Sequence, residues 1–324
     1  MPTDLNGDGH IDFLLGSKNG NAEGWINPGP EAISSVEAST FEFPSSDGVT
    51  DIEVADIDGD EVADVVMTVT GAPTPAVRTI LSPRVKGEVL GSSTDRAAQD
   101  WANQPYTDTS TTAQQVEVVD MDKNGYADLV IGTENGVAVV FGDSTSMSTG
   151  SFIGTPVTLG SSAGLAPLHT NDLEVEDVDG DGWPDIVASY DPVVYPASSS
   201  PPFKRIFYGS ASLAANPDNW ETKLGSKLSP ASEDQWDVRD IELIDINLDG
   251  NVDMVYSAVG EETRTVLGES VDQVFDETAV ANQAANLKEL PLENGGNVTQ
   301  VDVVVGPRTS PTGDSECQNP GDDY

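Results

Sequence analysis

Five stretches of nine residues carry oxygen-bearing side chains at their positions 1, 3, 5 and 9. They are Asp4, Asn6, Asp8 and Asp12; Asp56, Asp58, Asp60 and Asp64; Asp120, Asp122, Asn124 and Asp128; Asp177, Asp179, Asp181 and Asp185; and Asp245, Asn247, Asp249 and Asp253. Carboxylate and amide oxygens are hard ligands, and a short loop that offers them from alternate positions around a turn wraps a hard divalent cation such as calcium. One Asp/Gly-rich loop of this kind is no more than a solvated turn in many chains. Five in phase are different: their starts lie 52, 64, 57 and 68 residues apart, so each belongs to a module of about 60 residues. The chemistry this implies is binding, because an oxygen shell closed within a hairpin stabilises a fold rather than reacting.

Little else in the chain offers chemistry. His10 lies inside the first loop and His169 in a Gly/Pro-rich connector, positions where a lone histidine is usually structural or solvent-facing. No Ser/His/Asp order, phosphate-cradling glycine loop or cysteine–histidine cluster stands out. The regularly placed carboxylate pairs are accounted for by the cation loops. Trp25, Trp101, Trp183, Trp220 and Trp236 are candidates for stacking sugars, but packing is the more ordinary use of such aromatics. Asn297-Val298-Thr299 is a lone glycosylation sequon, a weak signal.

The elements that must hold the loops are strands. Before four of them stand alternating segments, DIEVAD, QVEVVD, DLEVED and DIELID, each with an acid three residues ahead of the loop: Glu53, Glu117, Glu174 and Glu242. After each loop comes a nearly continuous apolar run (FLLG, VVMTV, LVIG, IVAS, MVYS), the mark of a strand buried on both faces. Each loop therefore joins two antiparallel strands. A third strand is visible in AVRTIL, GVAVVFG, FKRIFYG and TRTVLG. A glycine followed ten or eleven residues later by an aromatic (Gly91 to Trp101, Gly142 to Phe152, Gly209 to Trp220) marks a fourth. With no helical periodicity, the sequence predicts an all-β chain of four-stranded modules, the blades of a β-propeller spanning residues 1–306, followed by a polar tail over 307–324.

The ends leave two arrangements open. Nothing before Asp4 reads as an entering strand, whereas residues 298–304, VTQVDVV, read as one with no loop behind it. Either that segment completes the first blade and closes a five-bladed ring, or the chain is part of a six- or seven-bladed propeller.

The formal net charge is -42, from 56 acidic and 14 basic residues. Seventeen of the acids occupy ligand positions, so five divalent ions leave the surface strongly anionic. That disfavours nucleic-acid phosphates and anionic lipid as partners and suits a cationic partner or a saline medium. Cys317 is the sole cysteine, so no intrachain disulfide forms, and no apolar run reaches the length of a membrane span. No signal peptide precedes Asp4; since loops of this type fill in millimolar calcium, Met1 is expected not to be the start of the natural precursor.

The hexapeptide D-x-[DN]-x-[DN]-G also opens EF-hand loops, but those need a bidentate Glu at position 12, where this chain has Leu15, Met67, Ile131, Ala188 and Tyr256. Loop, entering strand and exit strand together resemble the FG-GAP repeat of integrin α-subunit propellers and its VCBS-type relatives. The resemblance implies calcium at blade hairpins, with a backbone carbonyl from position 7 (His10, Val62, Tyr126, Trp183 or Asn251) completing each shell. The second loop departs from the pattern with Glu61 in place of the turn glycine, and Asn124 and Asn247 lower the charge of two others. On this reading the cofactor is calcium, up to five mainly structural ions. The leading expectation is a non-catalytic extracellular or cell-surface module for adhesion, matrix or surface-filament assembly. Its partner would be a protein or glycan at the propeller face or loops, or other subunits of an extracellular assembly. A lectin-like glycan-binding propeller is the alternative, and a polysaccharide lyase the enzymatic one.

Overall fold

The computed structural model describes residues 2–4, 9–17, 22–27, 39–43, 48–59, 63–70, 77–81, 102–103, 113–149, 152, 156–159, 169–191, 204–211, 226–227, 237–259, 263–268 and 288–290. The segment 298–304 and the tail 307–324 lie outside them, as do Trp101, Trp220 and Trp236.

Among the described residues, five four-stranded antiparallel sheets follow one another along the chain, each a simple meander. The first comprises β1 (Pro2–Thr3), β2 (Asp12–Leu15), β3 (Ala22–Ile26) and β4 (Ser39–Phe43). The second comprises β5 (Gly48–Ala55), β6 (Asp64–Thr70), β7 (Val77–Ile80) and β8 (Ala102–Asn103). The third is β9 (Ala113–Val119), β10 (Asp128–Thr133), β11 (Gly136–Val140) and β12 (Val157–Thr158). The fourth is β13 (Thr170–Glu176), β14 (Asp185–Tyr190), β15 (Lys204–Phe207) and β16 (Ser226–Lys227). The fifth is β17 (Val238–Ile244), β18 (Asp253–Ala258), β19 (Thr263–Val266) and β20 (Lys288–Leu290). Entering, exit and third strands thus fall where alternation and apolar runs placed them, and every cation loop joins the first two strands of its sheet.

Two sequence expectations need correction. Pro2–Thr3 does serve as an entering strand, pairing Pro2 with Phe13 and Thr3 with Asp12; two residues are too few to show an alternating pattern. A short helix, α1 (Ser144–Thr149), interrupts the third sheet's connection. Asp143 starts it by capping: its Oδ1 accepts the N–H groups of Thr145 and Ser146 at 2.7 and 3.1 Å, which holds its carboxyl below the usual range.

The exit strands explain why a continuous apolar run is needed. In the third sheet, Leu129 and Ile131 pack with Ile57 and Val66 of the second sheet. Between them Val130, with Met121, packs against Ile186, Ala188 and Tyr190 of the fourth. The fourth repeats the scheme, with Val178 and Val187 meeting Met254, Tyr256 and Ala258 of the fifth. Alternate residues of one strand thus bury against the preceding and following sheets, so β6, β10, β14 and β18 are apolar on both faces. The first sheet differs. Leu14 is buried, but Phe13 and Leu15, at the positions that elsewhere meet the preceding sheet, are 53% and 54% exposed.

The entering strands also join neighbouring sheets. Asp51 Oδ2 accepts the N–H of Val116 at 2.8 Å, and Asp172 Oδ2 that of Ile241 at 2.5 Å, each from the next sheet's entering strand. These acids open the segments DIEVAD and DLEVED, at the bulges where β5 and β13 shift register. Two residues beyond them stand Glu53 and Glu174, and these two together with Glu117 of β9 are half-buried carboxyl groups that feel one another. Burial, then the charges of Glu53, Glu174, Asp51 and Asp172, pushes Glu117 up to about 10. Burial, then Asp172, Glu242, Glu53 and Asp240, pushes Glu174 up to about 9. Burial raises Glu53 and Asp172 to about 7 each.

A carboxyl group whose folded pKa exceeds its unfolded value favours folding below the unfolded value, and that contribution is lost as pH rises through the folded one. With calcium chelated, the melting temperature should therefore fall from pH 5 to pH 9. Glu117→Gln should raise it at pH 8, where the folded protein must hold a proton on Glu117 that the unfolded chain releases, by about 2–4 °C per kcal/mol recovered, and leave it nearly unchanged at pH 4. Thermal unfolding of both proteins from pH 4 to pH 9, freed of calcium, provides the check; equal melting curves at pH 8 would refute the raised Glu117 carboxyl.

Candidate metal centres

Each loop is shaped by its own side chains. The position-1 aspartates Asp4, Asp120, Asp177 and Asp245 each accept, through Oδ2, the N–H of the position-6 glycine: Gly9, Gly125, Gly182 and Gly250, all at 2.8 Å. Those glycines have φ of 88°, 88°, 88° and 93°, and no atom lies within 4 Å of where a Cβ would stand. Glycine is required there for backbone conformation, not for space. In the second loop, where Glu61 takes that place, the described contact is instead Gly59 N–H to Asp56 Oδ1 at 2.7 Å.

Positions 3 and 5 turn inward in the same way. Asp122, Asp179 and Asn247 accept the N–H of position 5 through Oδ1 at 3.1, 3.0 and 2.8 Å. Asn124, Asp181 and Asp249 accept the N–H of position 7 (Tyr126, Trp183 and Asn251) at 2.8, 2.8 and 2.9 Å. His10 is half-buried at position 7 of the first loop. Asn6, Asp8, Asp60 and Val62 lie outside the described residues.

This folding gathers carboxylates. Oxygens of Asp56, Asp58 and Asp64 lie within 4.8 Å of one another, as do those of Asp120, Asp122 and Asp128 and those of Asp177, Asp179 and Asp181. Among the described residues the fifth loop forms no such trio; there Asn247 Nδ2 donates to Asp249 Oδ2 at 2.9 Å, so an amide does part of a cation's work. The donor sets are all oxygen, which fits calcium. In the fourth loop Asp177 Oδ1 is buried without any hydrogen-bond partner, a position that costs free energy until a cation or donor meets it. Asp56, Asp58 and Asp64, Asp120, Asp122 and Asp128, and Asp177, Asp179 and Asp181 are thus the residues best placed to hold ions.

The closing aspartates have a second task that sequence reading missed. Asp12, Asp64, Asp128, Asp185 and Asp253 are fully buried. Through Oδ2, four of them accept the N–H of loop position 2: Ile57 at 2.8, Met121 at 2.8, Val178 at 3.0 and Ile246 at 3.0 Å. Through Oδ1, four accept an N–H from just past the third strand, Asn27, Gly142, Gly209 and Gly268, all at 2.7 Å. One side chain thus ties the start of the loop to the third strand. A Cβ on Gly142, Gly209 or Gly268 would collide with the carbonyl oxygen of Ala127, Pro184 or Val252, which is why glycine ends GVAVVFG, FKRIFYG and TRTVLG. Burial pushes Asp128 and Asp185 up to about 7, against the pull of these N–H groups, with the charges of Asp122 and Asp179 adding to the rise.

An FG-GAP-like repeat model matches residues 4–67 and 120–188, which contain the first four loops. Those two stretches are thus similar to FG-GAP-like repeats. No curated protein matches it. Among solved structures it is similar to BBS1N in complex with ARL6DN. With the mercury-soaked crystal the identity is 11% over 93% of this chain and 81% of that one, with a TM-score of 0.41. With the lead-soaked crystal it is 11% over 84% and 78%, at 0.39. A lectin from Agrocybe aegerita, described for specific recognition of non-reducing terminal N-acetylglucosamine, is 14% identical over 89% of this chain and 79% of its own, at 0.38.

Position 4 gives a test of loop geometry. Gly59, Gly180, Lys123 and Leu248 all stand there with φ of 73°, 73°, 54° and 59°. A leucine held left-handed is strained, and its side chain is 41% exposed, so it gains little from packing. Leu248→Gly should stabilise the protein by about 0.5–1 kcal/mol, the relief of strain being partly offset by the entropy of an unfolded glycine. Urea denaturation decides this; a loss of stability would show that the left-handed turn is not what the loop requires.

Proposed function

We propose that this chain is a calcium-rigidified β-propeller module, non-catalytic, working outside the cell or at its surface in adhesion, matrix or surface-filament assembly. The observation that carries the calcium reading is the convergence of three aspartates in each of three loops, with one buried oxygen of Asp177 left without a donor. The propeller reading is supported by five consecutive four-stranded meanders, of which the second to fifth pack one on the next through their entering and exit strands. An extracellular setting suits loops that fill in millimolar calcium and a surface that stays acidic after they do. A surface of that charge favours a cationic protein partner.

Glycan binding has less to draw on. Trp183 is the tryptophan on a cation loop, and Lys123 Nζ lies over its ring, 5.3 Å from the centroid, where a sugar would stack. The regularly placed carboxylates that a lyase reading might use are taken up by the loops and the strand-to-strand bonds described above.

The test is chelation. Each independent site contributes about 2.7 kcal/mol at a hundredfold excess of calcium over its dissociation constant. Excess EDTA should lower the melting temperature sharply and added calcium should restore it, with magnesium a poor substitute because it holds its water tightly. A melting temperature that EDTA leaves unchanged would remove the basis of this reading.

A further inference from the structure

The third and fourth loops touch through the side chain of Lys123. Lys123 stands at position 4 of the third loop, between the ligand positions of Asp122 and Asn124. Its Nζ donates to the carbonyl oxygen of Gly182, at position 6 of the fourth loop, and lies over the ring of Trp183 at position 7. These are the residues whose N–H groups are held by that loop's own ligands, Gly182 by Asp177 and Trp183 by Asp181. At its other end Lys123 has φ of 54°, and the N–H that follows it, of Asn124, is held by both Asp120 and Asp122. Elsewhere the described position-4 residues are Gly59, Gly180 and Leu248, so this bridge belongs to the third loop in particular.

Resting on the calcium reading above, we propose that Lys123 couples the third and fourth loops, so that a divalent cation in either raises the affinity of the other. A cation in the fourth loop fixes Asp177 and Asp181, and with them the carbonyl and ring that receive the ammonium. The anchored side chain then holds residue 123 in the left-handed conformation that turns Asp122 and Asn124 inward, so the third loop binds its cation with less ordering still to be done. The same coupling runs in reverse, since linkage between two binding events is reciprocal. Two effects oppose it. Repulsion between the bound ions is weakened by salt, which screens over about 8 Å at physiological ionic strength. The ammonium also repels an ion entering the fourth loop, but it does so whether or not the third is filled, so a cycle of variants separates that effect from the coupling.

Terbium, a calcium-sized cation whose emission is sensitised by a nearby indole, reads the fourth loop through Trp183. The component of emission that disappears in Asp181→Ala is assigned to that loop. Its affinity is then measured in the wild type, in Asp122→Ala to disable the third loop, in Lys123→Met and in the double variant. Methionine keeps the apolar stem and removes the charge. Disabling the third loop should weaken the fourth about two- to fivefold when Lys123 is present, the scale of one exposed cation–π contact. It should change nothing in the Lys123→Met background. The same change in both backgrounds, or none in either, overturns the coupling while leaving the calcium sites in place. Absence of any Asp181-dependent emission overturns both the coupling and the calcium reading.

Discussion

The closing aspartate of each loop is the interaction on which the rest of the architecture turns. A hairpin of about nine residues whose other side chains repel one another has little reason to stay folded back on its sheet. The buried carboxylates of Asp128, Asp185 and Asp253 supply that reason, because each binds one N–H at the loop's start and another beyond the third strand. A hydrogen bond to a charged group contributes roughly twice what a neutral one does, and burial strengthens it further. The same burial makes the charge costly to hold, which is why these groups are pushed up toward neutrality in the absence of a cation. In the third loop, the side chain that ties the loop to its sheet thus also stands among the candidate ion ligands.

The same excess of negative charge recurs at the entering strands, where Asp51 and Asp172 accept amides from the neighbouring sheet and Glu117 and Glu174 crowd beside them. Sheet-to-sheet packing there is apolar on the exit strands, whereas the entering strands combine apolar residues such as Val116, Leu173 and Ile241 with carboxyl groups. A buried carboxyl group is tolerated when it is protonated, paired or bound to a cation. Negative charge is thus concentrated at two depths, in the loops and between the sheets.

Most of this was legible because repetition amplified weak signals. Alternation in DIEVAD and its three counterparts located the entering strands, and five apolar runs located the exit strands. Spacing pointed to the loops where carboxylate trios gather, but not to which loops form one, since the fifth shares the spacing without a trio among the described residues. What was not legible depended on contacts distant in sequence. Asp128 meets Gly142 across the third strand, and Asp172 meets Ile241 across two sheets, relations that no local pattern encodes. The glycines ending GVAVVFG, FKRIFYG and TRTVLG were visible as a motif, but their cause, a carbonyl oxygen where a Cβ would stand, was not. The two-residue strand at Pro2–Thr3 and the helix begun by Asp143 were too short to leave a periodic trace.

The central claim is that cations in the loops hold the hairpins that build the sheets. Amide hydrogen exchange, resolved by residue and run with and without calcium, tests it most directly, because the N–H groups concerned are known. Calcium should slow exchange at Gly125 and Gly182 in the loops, and also at Met121, Val178, Gly142 and Gly209, which the closing aspartates hold. Exchange at all six that is the same in calcium and in EDTA would contradict the account.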